Sequence, residues 1–196
     1  MRAPRSLPPA YFEEMFASAA DPWGFETSPY EQAKYAHTLA VLGGRHYRQG
    51  FEIGCANGVL TERLAAHCDT LLAVDVSETA LDRARIRCAE QKTIRFARMS
   101  FPLAVPAHPE VFDLIVLSEV AYYWDDADLV LAAQRIAGFL APGGDLILVH
   151  WTGETDYPQS GDDAVEALKE TLSIDVETLL AERKAEYRLD LWRRTA

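Results

Sequence analysis

Long apolar runs are missing from this chain. None approaches the roughly 18–20 residues that a bilayer-spanning helix needs, so no membrane partner is expected. Arg2 and Arg5 stand near the N-terminus with no apolar segment behind them, which does not read as a secretory signal. Cysteine is scarce: Cys55, Cys68 and Cys88 are the only ones, and they show no metal-ligand spacing. An odd count without an export signal reads as reduced thiols, and no metal is expected. These absences point to the cytoplasm. A basic face is lacking too. Lys and Arg number 19 against 30 Asp and Glu, for a net charge of −11. That argues against broad contact with nucleic acid or an anionic membrane. It suits a cationic acceptor such as an amine, although most surface acid serves solvation. Internal repeats, low-complexity tracts and linkers are absent, so residues 1–196 read as a single domain with a full core.

What is present is organised around Phe51-Glu52-Ile53-Gly54-Cys55-Ala56-Asn57-Gly58-Val59-Leu60-Thr61. An apolar strand enters a turn of small residues, and a helix follows over about Val59 to His67. Gly54, Ala56 and Gly58 alternate through the turn, where small residues let a backbone approach a ligand. The next helix start aims N–H groups at that ligand. Cys55 reads either as a small packing residue or as a reactive thiol. A second anchor, Leu71-Leu72-Ala73-Val74-Asp75-Val76, is an apolar run ending in one carboxylate. In a doubly wound sheet such a carboxylate accepts hydrogen bonds from ribose hydroxyls, so the spacing fits an adenosine-containing ligand.

Along the chain, Met1 to about Leu7 reads as a loose tail. Pro8 to Ala20 carries a helix-period set of Tyr11, Phe12, Met15 and Phe16. Ser28, Pro29 and Glu31 form a capping box for a helix ending at Leu42 before Gly43-Gly44. This front section, residues 1–44, is either a helical pair covering sheet surface or a lid over the ligand. As a lid, Trp23 would stack and Lys34 or Tyr35 would reach a carboxylate. Ser77 caps a helix to about Gln91, with Ala80, Leu81, Ala84 and Cys88 as its apolar stripe. Strands are expected over Thr93–Met99, Phe112–Leu117 and Asp145–His150, helices over Asp128–Leu140 and Gly161–Leu172, and a turn over Ala141–Gly144. Glu186 to Arg193 alternates with period 2 as a strand, and Leu179 to Arg183 is its partner or a helix. The order predicts a parallel α/β sheet with helices on both faces.

These marks together resemble the class I methyltransferases that use S-adenosylmethionine. They are Glu52 to Gly58, Asp75, Phe112-Asp113-Leu114-Ile115-Val116, and Leu140-Ala141-Pro142-Gly143-Gly144 before a hydrophobic strand. The resemblance covers about residues 48–195. It implies a Rossmann-like, mostly parallel seven-stranded sheet with a helical N-terminal lid. A nicotinamide dinucleotide fits less well, because Val59-Leu60-Thr61 supplies no further glycine for a pyrophosphate. Asp21-Pro22-Trp23, Tyr30-Glu31, Lys34-Tyr35 and Glu119-Val120-Ala121-Tyr122-Tyr123 extend the likeness to the nodulation protein S family. That resemblance implies N-methylation of the free amine of an amino sugar or a deacetylated oligosaccharide, with S-adenosylhomocysteine as product. By position it implies that Glu52, Gly54, Cys55, Ala56 and Gly58 hold the methionine part. Asp75 would take the ribose and Val76 would flank the adenine. An acidic residue normally follows the third strand; Arg98-Met99-Ser100 stand here, so the Met99 backbone and Ser100 hydroxyl are expected instead. Ser118 would lie near the methyl group.

Methyl transfer from a sulfonium is a direct displacement, governed mainly by positioning. An amine acceptor must be neutral, so a nearby carboxylate or histidine has a proton to take. Glu119, His150 and the Tyr122-Tyr123 pair stand at the strand ends where open α/β sheets bind ligands. Glu119 and Tyr122 are expected at the amine, with His150 as base or orienter; Tyr123, Trp151 and Asp156 would line the acceptor mouth. Each has a plainer reading. Glu119 could cap a turn, His150-Trp151 could be a satisfied core pair, and Tyr122, Tyr123 and Trp124 could pack a corner. The competing functions are O-methylation of a small hydroxylated metabolite, favouring His150 as base, and cofactor binding without catalysis. A nucleic-acid acceptor is disfavoured by charge and by the lack of an Asn/Asp-Pro-Pro-aromatic signature. A monomer or homodimer is expected.

Overall fold

The computed structural model describes residues 2–106 and 111–195. The chain divides into two compact units, Pro8–Met99 and a second made of Met1–Leu7 with Ser100–Ala196.

The first unit begins with α1 (Pro9–Ser18) and α2 (Pro29–Val41). Half of the predicted capping box forms. Ser28 Oγ accepts the Glu31 N–H at 3.5 Å, but the Ser28 N–H goes to the Gly24 carbonyl at 2.8 Å. The Glu31 carboxylate turns instead to Lys34. Then come β1 (Tyr47–Ile53), α3 (Val59–Leu64) with a 3₁₀ turn over Ala65–His67, β2 (Cys68–Asp75), α4 (Glu78–Arg87) and β3 (Ile94–Arg98). β1, β2 and β3 pair in parallel. The apolar stripe of α4 is fully buried, as its spacing predicts. The helix ends at Arg87 rather than near Gln91. A turn closes there, with the Gln91 N–H on the Cys88 carbonyl and the Gln91 side chain on the Glu62 carbonyl.

The second unit holds β4 (Phe112–Ser118), α5 (Asp126–Phe139), β5 (Leu140–Trp151), α6 (Gly161–Thr171), β6 (Val176–Arg183) and β7 (Tyr187–Arg194). β4 and β5 are parallel, and β7 is antiparallel to both β5 and β6. Leu114 to Leu117 and Leu146 to Val149 are buried, which suits strands covered on both faces. The expected Ala141–Gly144 turn lies inside β5 as a bulge. The register jumps from Phe112 opposite Leu140 to Leu114 opposite Asp145, and Gly143 takes φ +70°.

The N-terminal tail is a correction. Residues read as loose are bonded: the Ala3 N–H donates to the Asp156 carbonyl at 2.7 Å, and the Leu7 N–H to that of Tyr123 at 3.0 Å. Backbone groups leave no hydropathy signature, so the sequence hid these bonds. The strand order is β3-β2-β1-β4-β5-β7-β6, seven strands and mostly parallel, the class I methyltransferase topology.

Candidate functional site

In the first unit β1 delivers Glu52 and stops at a turn built from left-handed residues. Gly54, Ala56 and Gly58 have φ of +80°, +49° and +82°. Ala56 tolerates this strained conformation because its N–H is clamped to Asp75 Oδ2 at 2.9 Å. The Gly54 and Cys55 N–H groups both donate to the Val74 carbonyl, and the Gly58 N–H to that of Cys55. The turn therefore spends those N–H groups on its own chain. It presents carboxylates to a ligand more than it presents donors. That suits a cationic, hydroxyl-bearing ligand better than a pyrophosphate.

Two carboxyls face this problem together. Glu52 is buried, and burial pushes it up to about 7, with the Asp75 charge adding to the rise and the Thr61 hydroxyl opposing it. Glu52 Oε2 has no hydrogen-bond partner among the described residues. Burial raises Asp75 as well, although the N–H groups of Ser77 and Ala56 hold its two oxygens at 2.9 Å each. A bound cation would relieve this strain, so the residues present fit a sulfonium and ammonium ligand.

The Cys55 side chain turns away from the turn's open side. It packs with Ala73 and Leu81, and burial pushes its thiol well up. This geometry suits the packing reading. Lys34 and Tyr35, expected to reach a carboxylate, are both buried. Lys34 is 1% exposed, with Nζ 2.9 Å from Glu31 and over the Tyr30 ring. A buried ammonium needs a partner carboxylate, and Glu31 supplies one. Tyr35 is buried under the Arg63 guanidinium. Trp23 packs against Phe16 and Phe25 at 5.4 and 5.6 Å. Val76 and Met99 lie half-buried past the ends of β2 and β3, and the Met99 N–H donates to the Asp75 carbonyl at 2.9 Å. Ser100 falls in the other unit.

Two acids near this turn escaped the sequence reading. Glu13 on α1 accepts from the Ser77 and Thr79 hydroxyls at the start of α4. Glu26 accepts from Asn57 Nδ2 at 3.3 Å and from Arg87 at 2.5 Å. The front section is thus laced to the turn's own helices. Neither acid carries a spacing signal, since both read as solvated surface.

In the second unit Ser118 ends β4 and Glu119 follows in the left-handed region, at φ +58°. A non-glycine residue there stores about 1–3 kcal/mol that its surroundings must hold. They do so through three bonds. The Glu119 N–H donates to the Val149 carbonyl at 2.8 Å, and Glu119 Oε2 accepts the Tyr122 hydroxyl at 2.6 Å and the Trp151 N–H at 3.0 Å. Tyr122 stacks on Tyr157 at 5.5 Å and 11°, and Tyr123 meets both rings edge-on at 4.6 and 4.7 Å. Burial pushes the phenols of Tyr122 and Tyr123 well up, so both stay protonated and act as donors. Trp151 is half-buried over Gly153, and Asp156 is held through its carbonyl by Ala3. Tyr157 belongs to this cluster without having been singled out, because one aromatic in a long loop gives no periodic signal.

His150 lies near the end of β5. Its imidazole is fully buried, edge-on to Tyr122, and its Nε2 accepts the Ala121 N–H at 3.1 Å. Its Nε2 lone pair is thus engaged by backbone, a geometry that suits the orienter of the two expected roles better than the base. Among the described residues no group of three or more Cys, His, Asp or Glu could hold a metal ion.

The sequence model of Nodulation protein S (NodS) matches residues 13–155. A nodulation protein S of Rhizobium tropici is 36% identical over 132 residues, 66% of this chain and 55% of that protein. The chain spans between 55% and 62% of the length of the first nodulation relatives it matches. The crystal structure of the N-methyltransferase NodS from Bradyrhizobium japonicum WM9, in complex with S-adenosylhomocysteine, superposes with a TM-score of 0.83 at 28% identity. It covers 95% of this chain and 98% of that one. A putative methyltransferase from Pseudomonas syringae superposes with a TM-score of 0.72 at 39% identity, over 84% of this chain and 99% of that one. With the fold, the glycine turn and a family match across most of its length, the chain belongs to the nodulation protein S family of S-adenosylmethionine-dependent methyltransferases.

Proposed function

We propose that this chain transfers a methyl group from S-adenosylmethionine to the free amine of an amino sugar or a deacetylated oligosaccharide. The observation that carries the acceptor reading is Glu119. It is a carboxylate held in strained backbone by Tyr122 and Trp151, beside a cluster of tyrosine rings. The similarity to the Bradyrhizobium protein, an N-methyltransferase, supports an amine over a hydroxyl.

The turn from Glu52 to Gly58, together with Asp75, Val76, Met99 and Trp23, would hold the cofactor. S-adenosylmethionine supplies an electrophilic methyl group when bound and leaves as S-adenosylhomocysteine. Everything else is the work of this chain. Glu119 attracts the acceptor ammonium and takes one proton from it, exposing the nitrogen lone pair. The Tyr122 hydroxyl and the Trp151 N–H fix the orientation of the carboxylate. The rings of Tyr122, Tyr123 and Tyr157 offer an apolar floor for the C–H face of a sugar, with Trp151 and Asp156 at its edge. His150 holds the Ala121 N–H, and so the turn that presents Tyr122.

The test is transfer of labelled methyl to a free-amine glucosamine oligosaccharide and to its N-acetylated twin. Transfer to the amine alone is expected. Equal transfer to both would place the methyl on a hydroxyl and overturn the amine reading. Transfer to neither would overturn the sugar acceptor.

A further inference from the structure

We infer that residues 2–7 are a positioning strap for the acceptor platform, with Ser6 as its key residue. This rests on the amine-acceptor reading, and it adds a segment that lies before the family match at residues 13–155. The platform rings come from two separate stretches. Tyr122 and Tyr123 sit in the short turn between β4 and α5, and Tyr157 in the loop between β5 and α6. The strap bonds to both stretches through its backbone. The Leu7 N–H holds the Tyr123 carbonyl and the Ala3 N–H holds the Asp156 carbonyl, next to two of the three rings.

Ser6 locks the strap near its Leu7 end. Its hydroxyl accepts the Asp125 N–H at 2.8 Å and donates to the Asp128 carboxylate. Its own N–H donates to Asp125 Oδ2 at 3.3 Å. Asp125 is the residue that caps α5, through Oδ1 on the Asp128 N–H at 3.0 Å. Ser6 is therefore wired into the start of the helix that follows Tyr122, Tyr123 and Trp124. At the strap's other end Arg2 pairs with Asp163 in the first turn of α6 at 2.6 Å.

The character of these contacts argues for positioning over bulk stability. No described side chain of residues 2–7 is buried, so the strap adds little to the core. Its bonds are polar and fall on the loops that carry the rings. Ordering two loops before the acceptor arrives removes that entropy from the binding step. The strap should therefore lower acceptor KM more than it raises kcat.

The test compares the parent protein with Ser6→Ala, Ser6→Thr and the double variant Arg2→Ala/Ser6→Ala. Three readouts are taken: amide exchange in peptides covering 120–128 and 154–160, acceptor KM and kcat, and the Kd for S-adenosylhomocysteine. In Ser6→Ala the expected result is exchange faster by about tenfold in those two peptides only. Acceptor KM should rise by about tenfold, kcat should stay within about twofold, and the cofactor-product Kd should not change; these are the sizes expected for losing the two hydrogen bonds of the Ser6 hydroxyl. Ser6→Thr, which keeps the hydroxyl, should restore exchange and KM, and the double variant should exceed Ser6→Ala in both. Unchanged exchange in both peptides, faster exchange with an unchanged KM, or equal effects of Ala and Thr would each overturn the proposal. The exchange readout needs no acceptor, so it separates failure of the strap from failure of the amino-sugar reading.

Discussion

Glu52 and His150 are both buried and ionisable, and their surroundings give them opposite assignments. Glu52 has an unpartnered oxygen, and burial has raised it to about 7 from an ordinary 4.5. The folded protein therefore binds a proton there more tightly than the unfolded chain does. Its contribution to stability is complete below about pH 4.5, and it is lost as the pH rises toward 7. The full difference is roughly 3 kcal/mol. Without ligand, thermal unfolding of the parent should come at lower temperature at pH 8 than at pH 5. Glu52→Gln should flatten much of that slope, and equal slopes in the two proteins would refute the assignment. Asp75 shifts in the same direction, so some slope should survive in the variant. His150 makes a different prediction. Removing its ring orphans the Ala121 N–H and opens a cavity, so His150→Ala should destabilise by about 2–4 kcal/mol in urea unfolding. Glu119→Gln should instead leave stability near the parent's and lower turnover by about 10²–10⁴-fold, with S-adenosylhomocysteine still bound. A His150→Ala protein of parent stability that lost only turnover would return the base role to histidine.

At the scale of elements, legibility followed periodicity. The α4 stripe was readable from its helical period, β4 from its apolar run, and β7 from its alternation of polar and apolar residues, although Leu189 to Trp192 are all buried. The half-formed box at α2 and the bulge inside β5 were not, because a backbone group or a lysine took the expected partner's place. The site divides the same way. Glu52, Gly54, Gly58 and Asp75 were legible because a turn of this shape needs small residues and a following strand end. Glu13, Glu26, Tyr157 and the strap of residues 2–7 act through single polar or ring contacts with no spacing. Gly58 shows how tightly one element constrains another. It starts α3 at φ +82°, and a Cβ there would sit 2.9 Å from the Ala84 Cβ on α4. Gly58→Ala should destabilise by about 1–3 kcal/mol through strain and overpacking. Adding Ala84→Gly should recover the part due to the Cβ clash, but neither the part due to the Ala84 Cα at 3.0 Å nor the part due to φ. Full additivity in that double-mutant cycle would show that the two helices do not meet at Gly58.

At the scale of the whole molecule, the net charge of −11 makes a claim about kinetics. Around pH 7 an amino-sugar acceptor is largely an ammonium, and an acidic protein attracts it over about a Debye length, some 8–10 Å at physiological salt. In the second unit the acids include Asp125, Asp126 and Asp128 at the start of α5 and Asp162 and Asp163 at the start of α6. Two demands then compete. Capture favours the protonated amine, while transfer requires the neutral one. Raising the pH toward the amine's own pKa should therefore raise kcat and weaken capture. Raising salt from about 50 to 500 mM should lift acceptor KM severalfold at pH 7, with a much smaller effect near pH 9, where the amine is mostly neutral. The Kd of S-adenosylhomocysteine, which carries no sulfonium charge, serves as the internal control and should respond less to salt. A KM indifferent to salt at both pH values would mean that the acceptor is not captured as a cation. The acidity of this chain would then have no part in choosing the acceptor.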